Sequence, residues 1–326
     1  MIISRTPFRV SFFGGGTDFP GFFERHGGVT LSTTIQQYCY ISIHRLSPFF
    51  KHRFRASYAR TESVIQPEEF EHPLVRECLL FRRPDSGLEI SHVADLPGRT
   101  GLGSSSAFTV GLLHALHALR GERVTAEDLA REAIHVERDM VKDAGGWQDQ
   151  YAAAYGGFMA IQYGPGGHVT IQRLALPAGR LHDLERHIMI YFTGLENSAE
   201  ELLREQQRNT GQNEANLLRM KGLAEEAAHI LSTGTDIDLF GDMLHESWML
   251  KRTLSSGVSN GTIDDLYERA RKHGARGGKL LGAGGRGFLL LWVPPERQEE
   301  VRRAMTELQS IAFACSNEGS RIIFQD

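Results

Sequence analysis

One segment of the chain has the residue types of an anion-binding loop. It reads Pro97-Gly98-Arg99-Thr100-Gly101-Leu102-Gly103-Ser104-Ser105-Ser106-Ala107, and an apolar stretch with helical spacing follows it directly. Glycine lets the backbone turn tightly and approach a ligand closely, and a helix start offers unpaired N–H groups at the positive end of its dipole. The serine hydroxyls could bond phosphate or complete the shell of a metal ion. We therefore expect this glycine–serine loop (residues 97–107) to bind an anion, with an ordinary serine-capped loop as the alternative.

A second glycine-rich segment, the C-terminal glycine loop (residues 282–287), matches the dinucleotide-binding pattern Gly-x-Gly-x-x-Gly. A dinucleotide site needs a helix directly after this pattern, whereas the strand-like run Phe288 to Val293 follows here. The segment is therefore not expected to bind NAD. A loop between two strands instead places bare backbone beside some other ligand or loop. A Walker loop, Gly-x-x-x-x-Gly-Lys-Ser/Thr, occurs nowhere in the sequence.

Two further segments place charged groups beside glycines. Gly14-Gly15-Gly16-Thr17-Asp18 follows a strand-like run that contains Arg9. Gly145-Gly146-Trp147-Gln148-Asp149-Gln150-Tyr151 has a single carboxylate among amides and glycines. Alone, the first segment is a glycine turn with a charged end, and the second is a surface aspartate.

The basic segment (residues 44–60) contains no acidic residue. It holds Arg45, Lys51, Arg53, Arg55 and Arg60, together with two histidines. In a protein with a formal net charge of −4, such a run predicts a local positive field suited to an anionic substrate. The alternative is a basic loop that is simply solvated.

The composition excludes several classes of protein. The chain has 326 residues, with 36 Lys and Arg against 40 Asp and Glu, which argues against a general nucleic-acid binder. Its apolar runs are far shorter than the roughly 20 residues of a membrane span. Three widely separated cysteines predict reduced thiols. We expect a cytoplasmic protein with neither a nucleic-acid nor a membrane partner.

The elements that would position these groups are mixed strands and helices. Strand-like runs dominate the first third of the chain. Apolar residues at three- and four-residue steps then predict a helix from residue 103 to near Gly121. A second helix is expected to begin at Thr125, an N-cap with Asp128 three residues on.

The second half predicts strands over 187–192 and 288–293, and a long helical stretch over 198–231. No regular βαβ alternation occurs, so the predicted fold class is α+β instead of a doubly wound sheet. We place the two domains at residues 1–178 and 179–326.

Taken together and in this order, the segments resemble the three motifs of the GHMP kinase superfamily, named for galactokinase, homoserine kinase, mevalonate kinase and phosphomevalonate kinase. The N-terminal motif corresponds to Arg5 through Asp18, the central motif to the glycine–serine loop, and the third to Lys279 through Gly287. Within the superfamily, the opening segment and Trp147 to Tyr151 most resemble the bacterial D-glycero-D-manno-heptose 7-phosphate kinases.

The resemblance implies a two-domain fold. The N-terminal domain would resemble ribosomal protein S5 domain 2, the C-terminal domain would be ferredoxin-like, and ATP and the sugar would meet between them. The implied activity is ATP- and Mg²⁺-dependent phosphorylation of the anomeric C1 hydroxyl of a sugar phosphate. D-glycero-D-manno-heptose 7-phosphate would give the 1,7-bisphosphate on the route to GDP-heptose and surface polysaccharide. The expected partners are this sugar phosphate and ATP, with a homodimer as one expected assembly.

Two alternatives remain open. One is a kinase for another acceptor, either a free sugar such as fucose or galactose or a mevalonate-like alcohol. The other is a kinase-like binding protein without turnover, which would be expected to lack the catalytic carboxylate or the serines.

The resemblance also assigns roles to residues. Asp149 corresponds to the catalytic carboxylate that accepts the proton of the sugar hydroxyl, and Arg9 to a basic residue near the transferred phosphoryl group. Ser105, or a neighbouring serine, and Glu137 correspond to magnesium ligands. The residues expected to bind ATP are Pro97, Gly98, Gly101, Leu102, Gly103, Ser104, Ser105 and Ser106. Those expected to bind the sugar phosphate are Gly15, Gly16, Thr17, Asp18, Gly284 and Gly285, joined by Arg45 and Arg53 of the basic segment.

Two positions depart from the family pattern. Arg286 stands in the C-terminal glycine loop where another glycine is usual. Glu196 and Asn197 stand where a basic residue is expected. We expect the first departure to alter the packing of the loop around the nucleotide, and the second to bear on which sugar is bound.

Overall fold

The computed structural model of the protein describes residues 1–194, 199–233 and 235–326, and within these ranges the strands form two sheets. The strands of the first sheet are β1 (Ile2–Phe13), β2 (Gly28–Arg45), β3 (Phe54–Ser57), β4 (Thr61–Val64), β5 (Leu88–Ala94), β6 (Phe158–Gly164), β7 (His168–Arg173), β12 (Cys315–Ser316) and β13 (Arg321–Gln325). The strands of the second are β8 (Ile188–Phe192), β9 (Gly277–Leu280), β10 (Phe288–Trp292) and β11 (Gln309–Ile311).

Helices cover both faces of the first sheet and pack against the second. They are α1 (Pro20–His26), α2 (Pro73–Arg82), α3 (Ser104–Leu119), α4 (Ala126–Ile134), α5 (Gln148–Tyr155), α6 (Arg180–His187), α7 (Ala199–Arg208), α8 (Glu214–Thr233), α9 (Asp238–Lys251), α10 (Gly261–Lys272) and α11 (Gln298–Ala304).

The first sheet has the order β13-β1-β2-β5-β3-β4, with β6 and β12 also pairing with β2, and β7 pairing with β6. Among the described strands, β3 and β5 form a parallel pair and every other pair is antiparallel. The second sheet has the order β11-β8-β10-β9. This predominance of antiparallel pairing confirms the predicted α+β class.

The two faces of β1 serve different layers, because successive side chains of a strand point to opposite sides. On one face, Ser4 Oγ donates to the carbonyl of Gly111 in α3 at 2.8 Å. On the other, the ring of Phe12 packs edge-on against Phe240 of α9, with ring centroids 5.4 Å apart. The register against β2 shifts between Pro7 and Arg9. After this shift Arg9 lies on the face covered by α3 and α5.

The two predicted helices after the glycine–serine loop are confirmed. The first, α3, begins at Ser104, and the second, α4, is capped by Thr125, whose Oγ1 accepts the N–H of Asp128 at 3.1 Å. Beyond α4 the chain continues as a π-helix over His135–Met140. Such wide turns are rare and occur mostly at functional sites. This one carries Glu137 into the protein interior.

The strands predicted over 187–192 and 288–293 are confirmed as β8 and β10. The long helical stretch expected over 198–231 is interrupted, because α7 ends at Arg208 and α8 begins at Glu214. Thr210 Oγ1 bonds the carbonyl of Gln207 at 2.8 Å in the intervening turn, which also contains a glycine. Glycine and backbone-bonding threonine both weaken a helix at this point. Ser198 itself lies outside the described residues.

The end of the chain returns to the first sheet. Residues 188 to 311 build the second sheet, whereas β12 pairs with β2 and β13 pairs with β1. The division into two domains at residues 178 and 179 stays a prediction. It does not account for β12 and β13, which follow the second sheet in the chain but belong to the first sheet. Within the described ranges, no helix has both the length and the apolar character needed to cross a bilayer.

Candidate active site

The glycine–serine loop leads into α3 with its first backbone N–H groups available. Gly103, which precedes α3, has a left-handed conformation with φ of 73°, and its position provides no side-chain cap. The helix is 16 residues long, so its dipole is well developed at this end. This is a backbone anion site of the predicted kind.

The two glycine loops pack backbone against backbone. A Cβ on Gly101 would stand 2.4 Å from the carbonyl oxygen of Leu281, and one on Gly287 would stand 2.6 Å from that of Thr100. Phe288 N also donates to the Thr100 carbonyl at 3.3 Å. The C-terminal glycine loop therefore needs glycines because its backbone packs directly on the glycine–serine loop. This packing explains why its sequence matches the dinucleotide-binding pattern.

Arg9 joins the predicted catalytic carboxylate to this loop. Its Nε and one terminal nitrogen donate to the two oxygens of Asp149, both at 2.7 Å, and its other terminal nitrogen donates to the carbonyl of Gly101 at 2.7 Å. A Cβ on Gly103 would lie 3.1 Å from Arg9 Cγ and 3.4 Å from an Asp149 oxygen. The structure thus brings Arg9, Asp149 and the start of α3 into one site.

Asp18 lies beside this group. Its carboxylate accepts the N–H of Gly16 at 2.9 Å and that of Gln148 at 3.2 Å, and a Cβ on Gly146 would collide with it. Burial raises the pKa of Asp18, and the charge of Asp149 raises it further, against the backbone hydrogen bonds that lower it. The two carboxylates therefore face a common region.

Thr17 has a different position from the one expected of a sugar contact. It is fully buried, and its hydroxyl is hydrogen-bonded to the carbonyls of Gly14 and Val29 at 2.8 and 2.9 Å. Thr17 stabilises the turn that contains Gly15, Gly16 and Asp18. The structure does not place its hydroxyl where a sugar could contact it.

Glu137 is a buried carboxylate next to α3. One oxygen accepts Ser106 Oγ at 3.0 Å and the amide of Gln150 at 2.6 Å, and the other has no hydrogen-bond partner among the described residues. Burial raises the pKa of Glu137, against the nearby charge of Arg138. The serine paired with Glu137 is thus Ser106, while Ser105 is exposed at the helix start.

The other loop positions expected to bind ATP have mainly shaping roles. The Pro97 carbonyl accepts Thr100 Oγ1 at 3.0 Å, and Leu102 is fully buried with its carbonyl accepting the N–H of Arg9 at 3.0 Å. Gly98 and Ser104 lie together at the helix start, where Ser104 Oγ accepts the N–H of Arg99 at 3.3 Å. These contacts fix the loop and leave its N–H groups to a ligand.

Gly284 and Gly285 pack away from Asp149. A Cβ on Gly284 would stand 2.5 Å from the Cα of Val258, and Gly285 N donates to the Val258 carbonyl at 3.0 Å. The structure does not bring them to the carboxylates. Arg286 is exposed beside Gly194. Glu196 and Asn197 lie outside the described residues.

The basic segment lies far from Asp149. Arg9 pairs with Thr34 on β2, while Arg45 ends that strand eleven residues later, on the order of 30 Å away at about 3.3 Å per residue. Arg45 forms an ion pair with Asp85 at 3.3 Å, and Arg53 lies over the ring of Phe54. The structure does not bring Arg45 and Arg53 to the expected sugar site.

Sequence reasoning missed an aromatic cluster on the other side of the glycine–serine loop. The ring of His72 lies 4.7 Å from that of Tyr58 and 5.1 Å from that of Phe108, which follows Ser104 by one turn of α3. Burial lowers the pKa of His72, against the charge of Glu62, and the charge of Arg99 in the loop lowers it further. The sequence offered one indication of this cluster: Phe108 follows Ser104 by four residues, which places it one helical turn beyond the loop.

Two buried lysines were also missed. Lys279 Nζ donates to the carbonyl of Phe12 at 2.9 Å, and Lys251 Nζ donates to the carbonyls of Leu280 and Gly282. Burial lowers the pKa of Lys279 strongly, and the charges of Lys251 and Arg9 add to this effect. The amines hold the C-terminal glycine loop against β1. The position of Lys279 at the start of the third motif was the only signal in the sequence.

Comparison with known proteins identifies the family of the chain. Residues 73–157 match the model of the GHMP kinases N-terminal domain, and residues 220–310 match that of the GHMP kinases C-terminal domain. D-glycero-alpha-D-manno-heptose 7-phosphate kinase of Campylobacter jejuni is 26% identical over 98% of this chain and 97% of its own length. A mevalonate kinase of Thermococcus onnurineus is 28% identical over 78% of this chain and 73% of its own length.

Solved structures show the same fold. A D-glycero-D-manno-heptose 1-phosphate kinase of Bacteroides thetaiotaomicron superposes with a TM-score of 0.81 at 24% identity, over 100% of both chains. A galactokinase of Lactococcus lactis superposes with a TM-score of 0.76 at 16% identity, over 98% of this chain and 94% of its own. The expected two-domain fold is thereby confirmed. The chain belongs to the GHMP kinase family and is an enzyme, an ATP-dependent phosphotransferase of the sugar-kinase type.

Proposed function

We propose that the protein transfers the terminal phosphoryl group of ATP to the C1 hydroxyl of a sugar phosphate. The proposed acceptor is D-glycero-D-manno-heptose 7-phosphate, and the product is the 1,7-bisphosphate, which would serve GDP-heptose and surface polysaccharide synthesis. The observation that carries the proposal is the position of Arg9, which bonds both oxygens of Asp149 and also the glycine–serine loop.

Asp149 would act as the proton acceptor. As the C1 oxygen forms its bond to the terminal phosphorus, the bond from that phosphorus to the bridging oxygen of ADP breaks, and the hydroxyl proton passes to the Asp149 carboxylate. Arg9 fixes the position of this carboxylate by donating to both of its oxygens at 2.7 Å. Phosphoryl transfer depends mainly on positioning and charge stabilisation, and the N–H groups at the start of α3 supply both for the phosphates.

The residues around Glu137 fit a magnesium ion. Glu137 and Ser106 offer oxygen ligands, which Mg²⁺ prefers, and one Glu137 oxygen is buried without a partner among the described residues. Glu137 and Ser106, with Ser105 as the alternative serine, would hold the ion. When bound, Mg²⁺ would neutralise charge on the phosphates of ATP.

The nucleotide base would lie on the side of the loop opposite Asp149. The phosphates occupy the start of α3, and the acceptor must meet them on the Asp149 side, so the base extends the other way. There Tyr58 and His72 are partly exposed, and His72 lies against the buried ring of Phe108. A base can stack on aromatic side chains of this kind.

The choice of acceptor is supported by similarity over full length. The heptose 7-phosphate kinase relative matches nearly all of both chains, whereas the fucokinase/GDP-fucose pyrophosphorylase of Arabidopsis thaliana is matched over 24% of its length. A free sugar or a mevalonate-like alcohol is the alternative acceptor. A binding protein without turnover is disfavoured, because Arg9, Asp149 and Glu137 are all present and connected. The homodimer and the cytoplasmic location stay predictions.

The test is a coupled assay of ADP release with a panel of acceptors. The panel contains heptose 7-phosphate, heptose, hexoses, hexose phosphates and mevalonate, each with and without Mg²⁺. We expect the highest kcat/KM for heptose 7-phosphate. Equal kcat/KM for heptose and heptose 7-phosphate would move the proposal to a free-sugar kinase, and turnover of mevalonate alone would reject a sugar acceptor.

A further inference from the structure

Beside the turn at Gly15, two polar side chains have buried atoms without a hydrogen-bond partner in the described part of the chain. They are Ser11 Oγ on β1 and Gln148 Oε1 at the start of α5. Ser11 is only 5% exposed. Proteins satisfy nearly all buried polar groups, and leaving one unpaired is unfavourable. An unpaired pair at one place therefore points to a ligand.

Both groups border the same open space. A Cβ built on Gly15 would lie 3.6 Å from Nε2 of Gln148 and 3.9 Å from Oγ of Ser11, and it would meet no other atom within 4 Å. The absence of a side chain at Gly15 thus leaves room in front of a hydroxyl and a carboxamide. A larger residue there would fill this space.

The neighbouring position has an apolar border. A Cβ on Gly16 would lie 3.1 Å from Leu217 of α8 and 3.7 Å from Leu254, which follows α9. Both leucines are 3% exposed and pack in a core cluster with Phe22 and Met220, so they close the turn on the side of the second domain.

The space also adjoins the reacting groups. The backbone N–H of Gln148 donates to Asp18 at 3.2 Å, and Gln148 directly precedes Asp149. Ser11 follows Arg9 by two residues on β1, so both side chains are on the same face of the sheet. A molecule bound here is consequently the acceptor and not the nucleotide.

We propose that Ser11 and Gln148 bind neighbouring hydroxyl groups of a sugar acceptor. A serine hydroxyl and a glutamine amide each donate and accept hydrogen bonds, as a pair of sugar hydroxyls does. The carboxylate of a mevalonate-like alcohol would need a cation instead. This inference rests on the proposed function and names the part of the acceptor that the turn recognises.

The test compares Ser11→Ala and Gln148→Met with the parent protein, using heptose 7-phosphate and its monodeoxy analogues. Gln148→Met keeps the backbone N–H that Asp18 requires. We expect each variant to lose about tenfold in kcat/KM for the parent sugar, with KM for ATP unchanged. For the analogue that lacks the matching hydroxyl, parent and variant should have equal kcat/KM, a result that a purely structural role would not produce.

Tyr191→Phe is the matched control. Tyr191 lies on β8 of the second sheet, is 2% exposed, and its hydroxyl also lacks a partner among the described residues. Its removal should leave discrimination between the sugar and its deoxy analogues unchanged. If the protein phosphorylates the sugar but neither variant changes this discrimination, the inference is wrong and the proposed function stands. If no sugar is phosphorylated, the proposed function itself fails.

Discussion

The glycine–serine loop and the basic segment both have the sequence character of an anion site, but the structure uses their groups differently. At the loop, the attracting groups are backbone N–H groups at the start of α3, and Arg9 reaches them from β1. In the basic segment, three of the guanidinium groups already face carboxylates, and Arg45 pairs with Asp85 at 3.3 Å. Arg55 pairs with Glu89 at 2.5 Å, and Arg60 pairs with Glu71 at 2.5 Å.

The difference teaches that a run of basic residues does not by itself predict a positive field. The acids that neutralise this segment come from strand β5 and from the connections around α2, so they are distant in sequence and adjacent in space. The first N–H groups of α3 receive no side-chain cap among the described residues. They remain available until a ligand binds.

The largest effect is expected from Gly103→Val, which tests whether the backbone of the glycine–serine loop binds the nucleotide. Gly103 has a φ of 73°, which a β-branched residue rarely adopts, and its Cβ would press on Arg9 and Asp149. We expect binding of a non-hydrolysable ATP analogue to be lost, as measured by calorimetry. Gly261→Val is the control, because a Cβ there would meet nothing within 4 Å. Unaltered affinity in Gly103→Val would place the nucleotide elsewhere.

The next effect is that of Asp149→Asn. Removing the proton acceptor should lower kcat by about 100-fold or more, whereas affinity for ATP should stay nearly constant because the carboxylate faces the acceptor. Asp85→Asn is the matched control, since Asp85 pairs with Arg45 in the basic segment. Stopped-assay turnover and calorimetry measure the two quantities. Wild-type turnover in Asp149→Asn would remove this residue from the mechanism.

A smaller effect separates the two serines. Because Ser106 bonds Glu137 at 3.0 Å while Ser105 is exposed, Ser106→Ala should raise the Mg²⁺ concentration for half-maximal activity by about tenfold or more. Ser105→Ala should change it less. A Mg²⁺ titration of ADP release decides between them, and the reverse order would support the assignment made from the sequence motif.

The smallest effect is expected in the basic segment. If Arg45 and Arg53 contacted the sugar phosphate, Arg45→Gln and Arg53→Gln would each remove a charge-assisted hydrogen bond. The KM for the sugar phosphate would then rise by about ten- to a hundredfold. In the structure Arg45 is in an exposed ion pair with Asp85, and Arg53 lies over the ring of Phe54. We therefore expect neither KM to change by more than about twofold, since exposed charge contacts contribute little. Steady-state kinetics with heptose 7-phosphate and ATP measures both constants. A large rise in the sugar KM alone would restore the basic segment to the acceptor site.

The parts of the site that could be predicted from the sequence depend on local motifs. The start of α3 follows from glycines, serines and apolar spacing, and Asp149 and Arg9 follow from family motifs that the fold brings together. Ser106 could not be preferred over Ser105 in this way. Consecutive helical residues point about 100° apart, so the choice depends on how α3 is rotated against Glu137.

Other features could not be predicted because they depend on tertiary contacts. The π-helix that carries Glu137 has no spacing signal that distinguishes it from α4. Lys279 looks like a surface lysine in the sequence, and its burial follows only from the packing of β9 against β1. The return of β12 and β13 to the first sheet pairs Cys315 with Ile35 and Gln325 with Ile2, and periodicity cannot show contacts at such separations in the chain.

This return constrains the order in which the protein can fold on a ribosome. β1, which carries Arg9, emerges early, but the strand that covers its outer edge follows the entire second sheet in the chain. Until β13 arrives, β1 presents unpaired backbone groups that can pair with another chain. Synthesis of the second domain therefore sets how long the nascent first sheet remains open, and how long it depends on molecular chaperones to prevent aggregation.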